Sequence, residues 1–117
     1  MSLDVRIRRA YDPPQRSDGY RVLIDRIWPR GVTRARARID EWARELAPSD
    51  ELRRWFKHDP ERFEEFRARY RAELSAHGEQ LEELRRRARS GPLTVVYAAR
   101  DEDHNNAVVL AELLRED

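Results

Sequence analysis

The chain has 117 residues, no cysteine, 24 basic and 23 acidic side chains, and a net charge of +1. That length fits one domain of ~100–200 residues. The lack of cysteine excludes a disulfide scaffold, a thiolate nucleophile, an iron–sulfur site and a cysteine zinc site. No apolar run approaches the ~18–20 residues of a membrane span, and residues 1–9 lack the apolar core of a signal peptide, so a soluble, cytoplasmic protein is expected.

Leu3, Val5 and Ile7 alternate with charged residues, the period of a half-buried strand. Asp12-Pro13-Pro14 and Ser17-Asp18-Gly19 punctuate a loop. Residues 20–27 (YRVLIDRI) are rich in strand formers and predict a second, more buried strand, closed by Trp28-Pro29-Arg30-Gly31. Helices are expected through the middle. Ile39, Trp42, Ala43 and Leu46 share a helical face. Pro48 ends that helix, and Ser49 caps the next, with Leu52, Trp55 and Phe56 on its apolar side. Asp59-Pro60 opens a further helix, whose Phe63, Phe66, Tyr70 and Leu74 fall three and four apart. Gly78 marks a weak point, and Ser90-Gly91-Pro92 is a stop. Residues 93–99 (LTVVYAA) form an apolar run between turn signals, as in a central strand covered on both faces. Ala107, Val108, Leu110, Ala111 and Leu114 predict a final helix.

This order predicts a small α/β domain over residues 1–117. It would have about three mainly parallel strands, a helical insertion between the second and third, and a C-terminal helix. The orientation of the first strand stays open. In such sheets ligands bind beyond the carboxyl ends of the strands. The second strand ends in Asp25, Arg26, Trp28, Arg30 and Gly31; the third ends in Arg100, Asp101, Asp103, His104, Asn105 and Asn106. Parallel pairing would bring both clusters to one edge.

Each residue has a bland reading beside the chemical one. Asp25 and Arg26 interrupt an apolar strand, where a charge is seldom buried unpaired. They could be a buried ion pair, or a carboxylate and an anion grip. Arg30 could cap a helix or hold a phosphate or carboxylate in its planar fork. Trp28 could be core or a stacking platform. Asp101-x-x-His104-Asn105 precedes a helix whose free N–H groups favour an anion. There His104 could serve as acid or base, or Asn105 could merely cap the helix while His104 faces solvent.

His58, His77 and His104 are dispersed, so no metal site is expected, and no cofactor is identified. Four glycines without a phosphate-loop spacing exclude a Walker or Rossmann cradle. Of the basic residues, 23 are arginine and Lys57 is the lone lysine, as a GC-rich genome would write them. Residues 1–40 carry a net charge of +5, residues 41–84 carry −4, and residues 85–117 are neutral.

Gly19-Tyr20-Arg21-Val22-Leu23, Asp25-Arg26-Ile27-Trp28-Pro29-Arg30-Gly31, Ala47-Pro48-Ser49, His58-Asp59-Pro60 and Asp101-x-x-His104-Asn105 together resemble the uncharacterised YeaO-like family. That family is a branch of the superfamily known as domain of unknown function number 488. The resemblance runs over nearly the whole chain. It implies an α/β fold with a polar pocket between the Asp25 and Asp101 segments. Broader relatives carry a Cys-His-Arg turn near His104-Asn105; without cysteine, thiol chemistry does not carry over.

Three readings follow. The first is an enzyme or binder for a small anionic, nucleotide-like or phosphorylated ligand. In it Arg26, Trp28, Arg30, Gly31 and Asn105 bind, and Asp25, Asp101 and His104 act as catalytic groups. The second is a nucleic-acid-associated module using Arg34, Arg36 and Arg38, with Trp28 as a stack, although the net charge does not point to it. The third is a non-catalytic interaction or regulatory domain. Whether the chain is an enzyme, and its oligomeric state, stay open at this level.

Overall fold

Residues 3–116 are described by the computed structural model. Five consecutive buried residues, Leu93–Tyr97, form the strand on which the sheet is built. In chain order the elements are β1 (Val5–Arg9), β2 (Tyr20–Leu23), α1 (Arg34–Ala37), β3 (Glu41–Trp42), α2 (Asp50–Phe56), α3 (Phe63–Leu74), α4 (Gly78–Ser90), β4 (Leu93–Tyr97) and α5 (Asn106–Arg115). The sheet order is β1-β4-β2-β3, and all three pairings are parallel. Leu93 is the register partner of both Val5 and Tyr20.

The architecture is the α/β domain expected, with the first strand now oriented: β1 runs parallel to β4. The sheet has a fourth strand. The helix expected over Ile39, Trp42, Ala43 and Leu46 is absent; those residues form β3 and a single 3₁₀ turn, Arg44–Leu46. The reason is tertiary. Trp42 is the register partner of Leu23, and the Ala43 N–H donates to the Leu23 carbonyl at 2.8 Å, so the sheet edge outweighs the helical spacing. The other helices start where their caps predict. Ser49 Oγ accepts from the Leu52 N–H and Asn105 Oδ1 from the Val108 N–H. Asp59 opens a 3₁₀ turn, Pro60–Arg62, that leads into α3. A second such turn, Ser75–His77, separates α3 from α4 at Gly78.

Alternation along the strands sorts the core into two layers. Val22, Ile24, Val95 and Tyr97 face the main core with Phe56, Phe66, Tyr70, Leu84 and Leu110 of the helices. Leu23 and Val96 face a smaller cluster with Ala37, Ile39, Trp28 and Trp42. Among the described residues no helix is long and apolar enough to cross a membrane.

The start of β2 is fixed by a close approach. Gly19 has φ +66°, and a Cβ there would lie 2.1 Å from the Pro92 carbonyl oxygen, while the Tyr20 N–H donates to that oxygen at 3.0 Å. The obstructing atom is backbone and cannot rotate away. Gly19→Ala therefore combines a glycine-only backbone conformation with overpacking, each worth ~1–3 kcal/mol. Urea unfolding of this variant is expected to show a loss of about 3 kcal/mol; a loss below ~1 kcal/mol would contradict the constraint.

Candidate functional site

The carboxyl ends of β2 and β4 meet at Asp25. Past Leu23 the chain still pairs, the Ile24 N–H donating to Val96 O at 3.1 Å, and then leaves the sheet. Asp25 Oδ2 accepts the Ala98 N–H at 3.0 Å, and Oδ1 accepts Asn106 Nδ2 at 3.0 Å. Its backbone carbonyl accepts Trp42 Nε1 at 2.7 Å. One residue thus joins the ends of β2 and β4, the edge strand and the first turn of α5, which explains a charge within an apolar strand. Burial pushes the Asp25 carboxyl up. The bonds from Asn106 and Ala98, and the neighbouring His58 and Arg53, only partly resist.

Above Asp25 lies a cavity of about 310 Å³. Asn105 and Asn106 line it beside the carboxyl, while Arg26, Arg53 and His58 form its polar wall. Phe56 and Phe66, stacked at 4.3 Å, form its apolar wall. Arg26 does not pair with Asp25. Its Nε is buried without a hydrogen-bond partner among the described residues, 3.6 Å from Asp50 Oδ1. Asp50 is already engaged by Arg53 Nη2 at 3.1 Å.

The structure brings together Asp25, Arg26 and Asn105 of the predicted site residues. It places the others elsewhere. Trp28 packs edge-on against Trp42 at 5.2 Å and donates to Val32 O, in the smaller core layer. Arg30 is exposed, its carbonyl taking the Tyr11 hydroxyl at 3.0 Å. Gly31 turns the chain at φ +77° with open space around it. Asp101 and His104 close on each other. Asp101 accepts the backbone N–H groups of Asp103 and His104, and His104 Nδ1 lies 3.0 Å from Asp101 Oδ2. The Asp103 N–H and then His104 hold the Asp101 carboxyl below the usual aspartate value, with burial opposing. The His104 ring meets the face of Phe63 edge-on, outside the cavity.

The anion site expected at the start of α5 is largely occupied from within. The Val108 N–H is taken by Asn105 and the Ala107 N–H by the Asn106 side chain. Arg53 and His58 are not among the site residues expected from the sequence, and Asn106 is there only as one member of the polar cluster after the third strand. Lys57 and His58 both adopt positive φ, 49° and 55°, and so turn the chain after α2 back toward the cavity. His58-Asp59-Pro60, one of the segments that carry the family resemblance, begins within that turn. Asn106 stands beside Asn105, and only the fold shows that the second asparagine reaches Asp25.

A family model described as the inactive DUF488-N3 subclade matches residues 4–117. The chain belongs to this subclade of the DUF488 family. It is 42% identical over 113 residues to the uncharacterised protein YeaO of Escherichia coli K12, which covers 97% of this chain and 98% of YeaO. It is 44% identical over 110 residues to the uncharacterised proteins Mb3100c of Mycobacterium bovis and Rv3073c of Mycobacterium tuberculosis, covering 94% of this chain and 92% of each. No solved structure matches it.

Asp25 makes a pH signature available. As pH rises from the ordinary aspartate value of 3.8 to the higher native value of Asp25, the unfolded chain releases its proton first, and native stability falls across that window. A carbon-detected NMR titration is expected to place the Asp25 midpoint above those of Asp18 and Asp101, which their partners hold down. In Asp25→Asn the fall in stability over that window should vanish. An Asp25 midpoint at or below that of Asp101 would refute the assignment.

Proposed function

We propose that this DUF488 member is a cytoplasmic, non-catalytic binder of a small anionic ligand, nucleotide-like or phosphorylated, held in the cavity above Asp25. The observation that carries the reading is the buried Arg26 Nε–H, which lines the cavity without a hydrogen bond. An unsatisfied buried donor of a charged group costs several kcal/mol at most sites, and an oxyanion removes that cost. Arg53 stands on the same wall to share the charge, and the His58 ring lines it beside Arg53. Asp25, Asn105 and Asn106 offer acceptors and amide groups to a polar ligand edge, and Phe56 and Phe66 offer an apolar surface. The volume, about 310 Å³, lies at the small end of the ~300–1,000 Å³ of ligand sites, which favours a mononucleotide or sugar phosphate over a dinucleotide.

The absence of catalysis is supported by the arrangement of the acid–base candidates and by the subclade's description as inactive. His104 is held by Asp101 outside the cavity, and both Asp25 carboxylate oxygens already accept hydrogen bonds. No general acid–base partner of Asp25 is thereby supplied by Asp101 or His104.

The test is a thermal-shift and calorimetric screen of nucleoside monophosphates and sugar phosphates. A ligand present at a hundred times its Kd should stabilise the fold by ~2.7 kcal/mol, a rise of several degrees in Tm. Arg26→Ala should weaken it at least tenfold, Arg30→Ala should leave it unchanged, and no product should accumulate on long incubation. Undiminished binding by Arg26→Ala, or turnover of the ligand, would overturn the reading.

A further inference from the structure

The opposite, amino edge of the sheet carries a second recess, of about 650 Å³. Arg16, Arg21, Arg34 and Arg38 line it, against one carboxylate, Asp40. Arg21 of β2 is only 2% exposed. Its Nε donates to Ala37 O at 2.9 Å and its Nη1 to Asp18 Oδ2 at 2.6 Å, but its Nη2 has no hydrogen-bond partner among the described residues. Asp18 has no further charge to offer, because Arg8 Nε shares it at 2.9 Å.

The arginines above Arg21 differ from most of those on α3 and α4. On α3 and α4, Arg67 pairs with Glu64 and Glu112, Arg69 with Glu65, Arg71 with Glu116, and Arg86 with Glu83. Arg16, Arg34 and Arg38 are exposed and have no ion-pair partner among the described residues. Arginines present for compositional reasons alone would not be expected to gather unpaired around a fully buried guanidinium with an open N–H.

We infer that this recess is an oxyanion site of the phosphate class, filled by a free phosphate group or by a phosphate of a nucleic-acid strand. Guanidinium forks match phosphate oxygens two at a time. Arg34 opens α1 and Arg38 follows its last residue, so the two arms stand at either end of one helical turn, with Arg16 across the recess and Arg21 beneath. Arg36, also exposed and unpaired among the described residues, lies between them and extends the positive surface beyond one phosphate. The site is independent of the cavity above Asp25.

The experiment compares the wild type with the Arg34→Ala/Arg38→Ala double variant, both checked by circular dichroism, because a change at the buried Arg21 risks the fold. One arm measures thermal shift with inorganic phosphate and pyrophosphate. The other measures fluorescence anisotropy of a labelled single-stranded oligonucleotide at 50 and 200 mM salt. Repeated in the Arg26→Ala background, which removes the cavity above Asp25 as a second anion site, binding in either arm is expected to weaken at least tenfold on adding the double substitution. If a strand is the ligand, three arginine contacts give a slope of about −2 in log K against log salt, from ~−0.7 per phosphate. If free phosphate is the ligand, the first arm alone responds. No binding in either arm at 50 mM salt, or equal binding by the double variant, would overturn the site.

Discussion

A single buried carboxylate holds the amino half of the sheet together. Asp18 is fully buried in the turn before β2 and accepts from Arg8 of β1 and Arg21 of β2. Its backbone carbonyl accepts the Thr94 hydroxyl of β4 at 2.7 Å. Arg21 then passes the connection on, to the Ala37 carbonyl and, through its own N–H, to Asp40 Oδ2 at 2.8 Å just before β3. All four strands are thus referred to one charged group. Burying an ion costs several kcal/mol unless it is fully partnered, so the network tolerates little rearrangement and favours one register.

The two sheet edges solve the same problem differently. At the amino edge Asp18 is met by guanidinium groups. Burial alone would raise its carboxyl, but the Gln15 N–H, Arg21 and Arg8 together keep it below the usual aspartate value. At the carboxyl edge Asp25 is met by neutral amides, and burial prevails. The first acid is a permanently charged structural post. The second is held in place just as firmly, by partners that carry no compensating charge of their own.

Much of this architecture was legible in the sequence. The apolar run 93–97 and the strand formers of 20–23 carry the period of buried parallel strands, and Ser49 and Asn105 mark helix starts by side-chain chemistry that acts locally. What failed depended on partners far along the chain. Trp42 sits at helical spacing from Ile39 and Leu46, yet pairing with Leu23 decides its conformation. Asp101 and His104 were rightly placed on the turn after β4, but spacing does not say that the two side chains close on each other. Asp18 read as turn punctuation, because its partners Arg8, Arg21 and Thr94 converge only in the folded sheet.

The position of β4 has a consequence for how the chain is assembled as it is made. The central strand of the sheet comes from residues 93–97, while both strands beside it, β1 and β2, lie in the first 23 residues and pair with it, not with each other. A nascent chain emerging from the ribosome therefore exposes two strands with one unfilled gap between them for most of its synthesis. Until β4 is made, the apolar faces of helices α2 to α4 have no completed sheet to cover. Folding becomes a late, concerted event in which one five-residue segment closes loops of about 70 and 90 residues together, the kind of long-range closure that slows folding. Until then β1 and β2 keep the edges that β4 will cover unpaired, the condition under which strands are most prone to wrong pairing.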